Sequence, residues 1–351
     1  MPARVNSVIL QNATEPKVRT VVFRRFHFKK YWKNMYNFFR YKLEQTVRVA
    51  IIITLIGFFA APSAAWASDN HRYDPVADDE TVVDQAFPPK SKEVAFDSAG
   101  ISLYGQVYSA QGKGTHPTVL YARGFPDSTG SNDIARVLRR AGYNVMFFNY
   151  RGTYSMGGVF SEQHAFEDLH SALAFLRSDN LAKEMGIDPN NIVLFGYSFG
   201  GPIALRLGAE DTKIKGIIHM DGTDLRAFRE MTPKDRAEWD EGLTSSLVPS
   251  ANGKQICDDI ALHIEDWEPA HYSEGLAGKY VFLAWASKES SKQVENVAPL
   301  SDLFSKRSHL TSAIFNTNHE FVNKRVALTR AILHWLKTIP SIKVASTNRS
   351  N

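Results

Sequence analysis

Asn191-Ile192-Val193-Leu194-Phe195-Gly196-Tyr197-Ser198-Phe199-Gly200-Gly201 decides how the rest of this chain is read. An apolar run, a Gly-x-Ser-x-Gly turn and a small-residue segment continuing to Leu207 predict a strand, a sharp turn and a helix. A serine at the apex of such a turn is held in a strained backbone conformation. The strain lifts its hydroxyl above the sheet and aims the following amides at the same space. Gly196 and Gly200 are needed because side chains there would collide across the bend. Chance alone supplies the five-residue pattern in a chain of this length on the order of one time in ten, so its meaning depends on its surroundings.

On either side of this stretch the chain alternates. Short apolar runs at 118–121, 144–150, 192–195, 214–219, 280–285 and 312–315 read as strands covered on both faces. Helical spacing occupies 133–141, 165–177, 202–209, 297–305 and 322–336 between them. Before these runs, 93–96 and 101–108 alternate apolar and polar residues around Ser98-Ala99-Gly100, which predicts a hairpin. The expected fold class is α/β: a mostly parallel, doubly wound sheet with an antiparallel N-terminal hairpin, spanning 91–340. Residues 225–278 interrupt the rhythm with Trp239, Trp267, many charges and no strand pattern, and are expected to form a helical cap inserted over the sheet. Residues 68–90 are polar and read as a linker, and 341–351 as a flexible tail.

The net charge of +4 over 351 residues is a composite. Residues 1–67 hold 11 Lys and Arg against 2 Asp and Glu, and the remaining 284 hold 30 against 35. A mildly acidic body without a dense basic stripe excludes a nucleic-acid partner. The basic stretch, the apolar run 49–61 and Ala65-Trp66-Ala67 before Ser68 have the order of an export signal, with cleavage expected after Ala67. The alternative is an uncleaved anchor, the one expected membrane contact. Met35 is a second candidate start that would give the leader an ordinary length. The expected location is periplasmic or secreted. The single cysteine, Cys257, reads as a buried small hydrophobe, and no His/Cys cluster has metal-ligand spacing, so neither metal nor cofactor is expected.

A serine hydroxyl is a weak nucleophile and needs a base within reach, together with a group that orients the base. In a doubly wound sheet the partners follow the carboxyl ends of later strands. His319, in Asn316-Thr317-Asn318-His319-Glu320-Phe321, follows the last strand and is the candidate base. The candidate acid is Glu289, the first carboxylate after the strand 280–285; Asp221 or Asp224, after the strand 214–219, is the alternative. The oxyanion hole needs two N–H groups. Phe199, following the nucleophile, supplies one, and Phe125 in Arg123-Gly124-Phe125-Pro126 supplies the other.

With Asn149-Tyr150-Arg151-Gly152-Thr153-Tyr154-Ser155-Met156-Gly157-Gly158 and the helix carrying Asp168, these pieces span about 200 residues and resemble the α/β-hydrolase superfamily, within it the esterase and prolyl-oligopeptidase-type branches. The resemblance implies a Ser198–acid–His319 triad and a cap, 225–278, over the active site, with specificity residing in cap residues such as Trp239, Trp267 and Tyr272. Two departures stand out. Arg123 occupies the place where members usually carry histidine, which makes it a candidate to bind a carboxylate-bearing substrate, and Ala286 replaces the usual glycine before the acid. The expected function is a serine hydrolase of small-molecule esters or peptides acting through an acyl-enzyme. Carboxylesterase is the first choice and peptidase the alternative, with a non-catalytic binding module on the same fold as the contrasting class.

Overall fold

A computed structural model describes residues 73–80, 82–125, 132–154, 156–244, 252–288, 297–342 and 344. The export signal and its cleavage site, the apolar run 49–61 and Glu289 lie outside the described residues. Among the described residues no helix is long and apolar enough to cross a membrane.

The chain runs β1 (Lys90–Ser98), β2 (Ile101–Ser109), β3 (His116–Ala122), α1 (Asn132–Arg140), β4 (Asn144–Phe148), α2 (Glu162–Leu176), α3 (Asp179–Met185), β5 (Ile187–Tyr197), α4 (Gly200–Glu210) and β6 (Gly216–Met220). A 3-10 turn (Leu225–Arg229), α5 (Pro233–Thr244), α6 (Gly253–Leu262), α7 (Pro269–Tyr272) and a second 3-10 turn (Ser273–Leu276) follow before β7 (Tyr280–Ala286), α8 (Val297–Ser305), β8 (His309–Phe315) and α9 (Arg325–Leu336). The eight strands form one sheet in the order β1-β2-β4-β3-β5-β6-β7-β8. β1, β2 and β4 pair antiparallel and the remainder parallel. The hairpin turns through Ala99 (φ +50°) and Gly100 (φ +80°) between the paired Ser98 and Ile101. Two successive residues at positive φ give the tight turn whose twist matches that of the strands.

Each face of the sheet carries its own core. One is filled by α2, α3, α4, α8 and the helices between β6 and β7, through Phe166, Leu169, Ile203, Phe304 and Ile260. The other is filled by α1 and α9, through Ile134, Leu138, Leu328, Ile332 and Trp335. The described regular elements between β6 and β7 are all α or 3-10 helical, joined by turns. Cys257 in α6 is fully buried; burial, with the Asp240 carboxylate beside it, pushes its thiol up to about 12.

Three expectations change. β8 is the sheet edge and alternates in exposure, with Ile314 60% exposed, instead of being covered on both faces. Helix α3 was not expected; its seven residues end at Gly186 (φ +61°) immediately before β5, too short a pattern to register as a period. Described residues of the segments expected as linker and tail also pack on the body. The Arg140 Nε donates to the Pro75 carbonyl (2.9 Å) and Arg139 pairs with Glu80 (2.5 Å), while Ile342 is buried in the second core.

A buried charge cluster fixes the loop after β4. Asp168 on α2 accepts from the Arg151 N–H (2.8 Å), the Arg151 Nε (2.7 Å) and the Ser98 Oγ (2.7 Å). Asp168 has no exposure and Arg151 almost none. Removing Asp168 leaves the Arg151 charge only its pair with the half-exposed Glu167 (3.2 Å) among the described residues, a loss that approaches the cost of breaking a buried ion pair, about 3–5 kcal/mol. Asp168→Asn should therefore lower unfolding stability by about that amount, measured by urea denaturation.

Candidate active site

The strand order reverses between β3 and β5, and the crevice at such a switch point lies at the carboxyl ends of those strands. Ser198 sits there, directly after β5, at φ +53°. That left-handed conformation is strained for a residue with a side chain. Neighbouring backbone holds it: the Ser198 N–H donates to the Met220 carbonyl (3.2 Å), and the Ser198 carbonyl accepts from Gly201 (2.9 Å) and Thr223 (3.0 Å). The tightness expected at Gly196 and Gly200 is present. A Cβ at Gly196 would lie 2.2 Å from the Gly200 carbonyl oxygen, and one at Gly200 would lie 2.0 Å from that of Ala122.

Asp221 is the first residue after β6, on the strand adjacent to β5. It too has a left-handed backbone, φ +43°, and its N–H donates to the Ala284 carbonyl on β7 (2.7 Å). Its carboxylate is 1% exposed. Oδ1 accepts from the Ala286 N–H (2.9 Å), and Oδ2 lies 2.6 Å from His319 Nδ1. Two hydrogen bonds thus satisfy both oxygens of a buried charge. With Nδ1 committed to Asp221, Nε2 is the nitrogen that can exchange a proton with a nucleophile.

His319 lies in the loop after β8, anchored at both ends. The Lys288 N–H donates to Thr317 (3.0 Å) and the Phe321 N–H to Asn318 (2.9 Å). Phe321 (φ +54°) is fully buried with its ring 5.6 Å from that of Phe315. The Tyr197 ring, one residue before the serine, lies 4.9 Å from the imidazole, and its hydroxyl donates to the His319 carbonyl (3.4 Å). Strand β5 therefore carries both the serine and a prop for the histidine.

The loop after β3 passes over the serine. A Cβ at Gly124 would meet the Ser198 Cβ at 3.0 Å, tighter than side chains ordinarily pack, so glycine suits this close approach, and Phe125 follows it in the chain. Phe199 begins the first turn of α4, where N–H groups lack helical acceptors. The Phe125 ring stacks on Phe160 (4.2 Å) and meets Phe199 edge-on (5.9 Å). From Phe199 the aromatic contacts continue to Trp239 (6.3 Å) on α5 and from there to Phe228 (5.2 Å).

The remaining candidates lie elsewhere. Asp224 is bidentate with Arg226 (2.9 and 2.8 Å) and caps the following 3-10 turn. The Arg123 guanidinium stands 4.8 Å over the Phe147 ring, and its carbonyl accepts from the Tyr150 hydroxyl (3.1 Å). Trp267 is 1% exposed and packs on Phe166 under the Arg206 guanidinium, and Tyr272 lies at the base of the cap beside Arg206 and Glu265. Of the three cap aromatics, Trp239 is the one in contact with Phe199. Among the described residues no group of three or more His, Cys, Asp or Glu could hold a metal.

Two titratable groups at this end of the sheet escaped the sequence reading. His219 on β6 is buried, and desolvation pulls its pKa down to about 4 against the opposing pull of Asp221. Glu162, in the first turn of α2, is wholly buried, and neither carboxyl oxygen has a hydrogen-bond partner among the described residues. Burial first, then the Asp259 carboxylate on α6, raises its pKa well above the usual glutamate value. No spacing rule flags either residue, because burial is a tertiary property.

Comparison with known proteins agrees with this architecture. A family model described as BD-FAE, of α/β-hydrolase type, matches residues 112–233. Dipeptidyl-peptidase 5 of Porphyromonas endodontalis is 30% identical over 152 residues, covering 40% of this chain and 21% of that protein. Across its curated relatives the matched segment spans between 3% and 43% of their length. The α/β hydrolase GrgF of Penicillium superposes with a TM-score of 0.52 at 17% identity, over 71% of this chain and 99% of that one. The Pyrococcus furiosus esterase Pf2001 gives 0.52 at 17%, over 74% and 97%.

Glu162 yields a test with a definite sign. In the unfolded chain its carboxyl ionises near 4.5, whereas in the fold it keeps its proton to higher pH. The folded state then binds more protons, so this group costs stability progressively as pH rises through that window. Glu162→Gln should leave stability unchanged below about pH 4 and raise it by at least about 1 kcal/mol near pH 8, measured by urea unfolding at both values.

Proposed function

From the α/β-hydrolase fold that this chain carries, we propose a serine hydrolase in which Ser198, His319 and Asp221 form the triad. The observation that carries this reading is the 2.6 Å contact from His319 Nδ1 to the buried Asp221 carboxylate, on the strand next to the one that ends at Ser198. Asp221 takes the role for which Glu289 was the first choice. Ser198 Oγ attacks the carbonyl carbon of an ester, thioester or amide while His319 Nε2 takes the hydroxyl proton. The Asp221 carboxylate stabilises the imidazolium and holds its tautomer. The Phe125 and Phe199 N–H groups receive the charge developing on the carbonyl oxygen. Collapse of the tetrahedral species passes the proton from His319 to the leaving group and forms the acyl-enzyme, which water then cleaves by the same sequence.

Carboxylesterase is the favoured activity, because the aromatic chain Phe160, Phe125, Phe199 and Trp239, which runs through the residue after the serine, suits an apolar acyl group. The Arg123 side chain lies over Phe147, in a hollow lined by Tyr104, Phe148 and Tyr154 and not by Ser198 or His319, so it carries no part of this proposal. Hydrolysis of p-nitrophenyl acylates should fall by at least about 1000-fold in Ser198→Ala. Asp221→Asn should lower kcat by about 10,000-fold, while Glu289→Gln stays within about threefold. Undiminished turnover in Ser198→Ala overturns the hydrolase reading, and the reverse ranking of the two carboxylate variants returns the acid role to Glu289. Aminoacyl anilides cleaved faster than the esters would make the protein a peptidase. Absence of labelling by a fluorophosphonate would favour a binding module.

Export completes the proposal. A charged stretch, a 13-residue apolar run and Ala65-Trp66-Ala67 support processing before Ser68. Mass spectrometry of the protein recovered from its expressing cells should find Ser68 at the N-terminus, and retention of residues 49–61 would indicate an anchor.

A further inference from the structure

His219 performs no step in the proposed reaction, yet it packs against both turns and the strand around Asp221. It lies on β6 two residues before the carboxylate and is 2% exposed. On one side its ring fills the space between the first turn of α4 and the turn after Asp221. A Cβ at Gly222 would come within 2.2 Å of its Nε2, and a Cβ at Gly201 within 3.0 Å of Nε2 and Cδ2. On the other side it lies 5.0 Å from the Trp285 ring on β7. Trp285 immediately precedes Ala286, whose N–H donates to Asp221 Oδ1. The imidazole Nδ1 has no hydrogen-bond partner among the described residues.

We propose that His219 is a positioning residue that wedges the nucleophile turn, the Asp221 turn and β7 into one unit, so that the carboxylate keeps its aim on His319 Nδ1. The inference rests on the triad reading above. The wedge works through packing. Glycine at 201 and 222 leaves a slot that a flat five-membered ring fills, and Asp221, at positive φ, has no regular secondary structure of its own to fix its carboxylate. Neutrality is part of the device. The ionisable groups acting on the ring are Asp221 and Asp224 from the loop after β6, while β7 contributes the Trp285 ring and α4 the backbone at Gly201. A second proton at low pH would make His219 a cation beside Asp221, in competition with His319 for the carboxylate.

The test compares wild type with His219→Ala, His219→Asn and Gly222→Ala, the last forcing the ring aside from the opposite direction. On p-nitrophenyl butyrate, kcat should fall by about 10- to 100-fold in each variant with KM within about twofold. The low-pH limb of the wild-type kcat profile should steepen below about pH 4, where His219 takes up its proton, and this steepening should vanish in His219→Asn. A proton NMR spectrum gives a readout independent of turnover: the far-downfield resonance of the short His319 Nδ1–H bond to Asp221 should shift or broaden in all three variants. If Ser198→Ala abolishes turnover while the His219 variants keep kcat within twofold and the resonance in place, the positioning role is wrong and the triad stands. If turnover survives in Ser198→Ala, the triad fails, and an unmoved resonance then overturns the positioning role as well.

Discussion

The 2.6 Å hydrogen bond between His319 Nδ1 and Asp221 Oδ2 is the contact on which the rest of the site depends. It joins residues 98 positions apart and can form only when three separately built pieces arrive together. The carboxylate is 1% exposed, so leaving it unpaired would carry the full cost of desolvating a charge, several kcal/mol by any reasonable reckoning. The fold meets this cost locally. β7 supplies a backbone N–H to Oδ1 and β8 delivers the imidazole to Oδ2, so a single carboxylate ties the loops after β6 and β8 to the β7 end. The price is backbone strain, since Ser198, Asp221 and Phe321 all take positive φ in or beside the site. Conformations of this kind cost about 1–3 kcal/mol each and persist where surrounding bonds over-determine them. The Ser198 carbonyl accepts two N–H groups and its own N–H donates to Met220, which is such over-determination.

Sheet topology explains why these pieces meet where they do. The strand order turns back at β3, so the loops after β3 and β5 leave the sheet on either side of one crevice. Gly124 lets the first of these loops lie against the Ser198 side chain. The loop after β4 is then held down by the buried Asp168–Arg151–Ser98 cluster, and Tyr150 from that loop reaches back to the Arg123 carbonyl. Charges far from the serine thus fix the path of the loop that carries Arg123 and Phe125.

Strand and helix periods were legible along most of the chain because each buried strand reads as an uninterrupted apolar run and each covering helix as a 3.6-residue stripe. The proposed nucleophile and base rest on a different signal: a glycine-flanked serine after one strand and a histidine after the last leave few alternatives. For the proposed acid no such signal exists. Glu289 and Asp221 both follow strands in the right part of the chain, and nothing in one-dimensional spacing says which strand end an imidazole will face. β6 adjoins the nucleophile strand directly, whereas β7 is one place further out. That order in space, unlike order in sequence, favours Asp221. β8 misled for a related reason, because an edge strand and a central one can carry equally apolar stretches.

Burial itself was the least legible property, and it accounts for the two groups that sequence reading passed over. Glu162 and His219 look ordinary in the chain, one an acid in a first helical turn and the other a histidine in an apolar strand. A helix N-terminus favours a carboxylate by about 0.3–1 kcal/mol when exposed, which alone would lower the pKa of Glu162. Complete desolvation acts in the opposite sense and dominates, raising it instead. For His219 the carboxylate of Asp221 would raise the pKa, and again burial wins and keeps the ring neutral. In both cases the low dielectric that strengthens the Asp221–His319 bond also suppresses ionisation of its neighbours. Asp221 and Asp168 each have donors on both carboxylate oxygens, whereas Glu162 has none among the described residues, and that difference in partners separates buried carboxylates that the fold accommodates from one whose ionisation burial opposes.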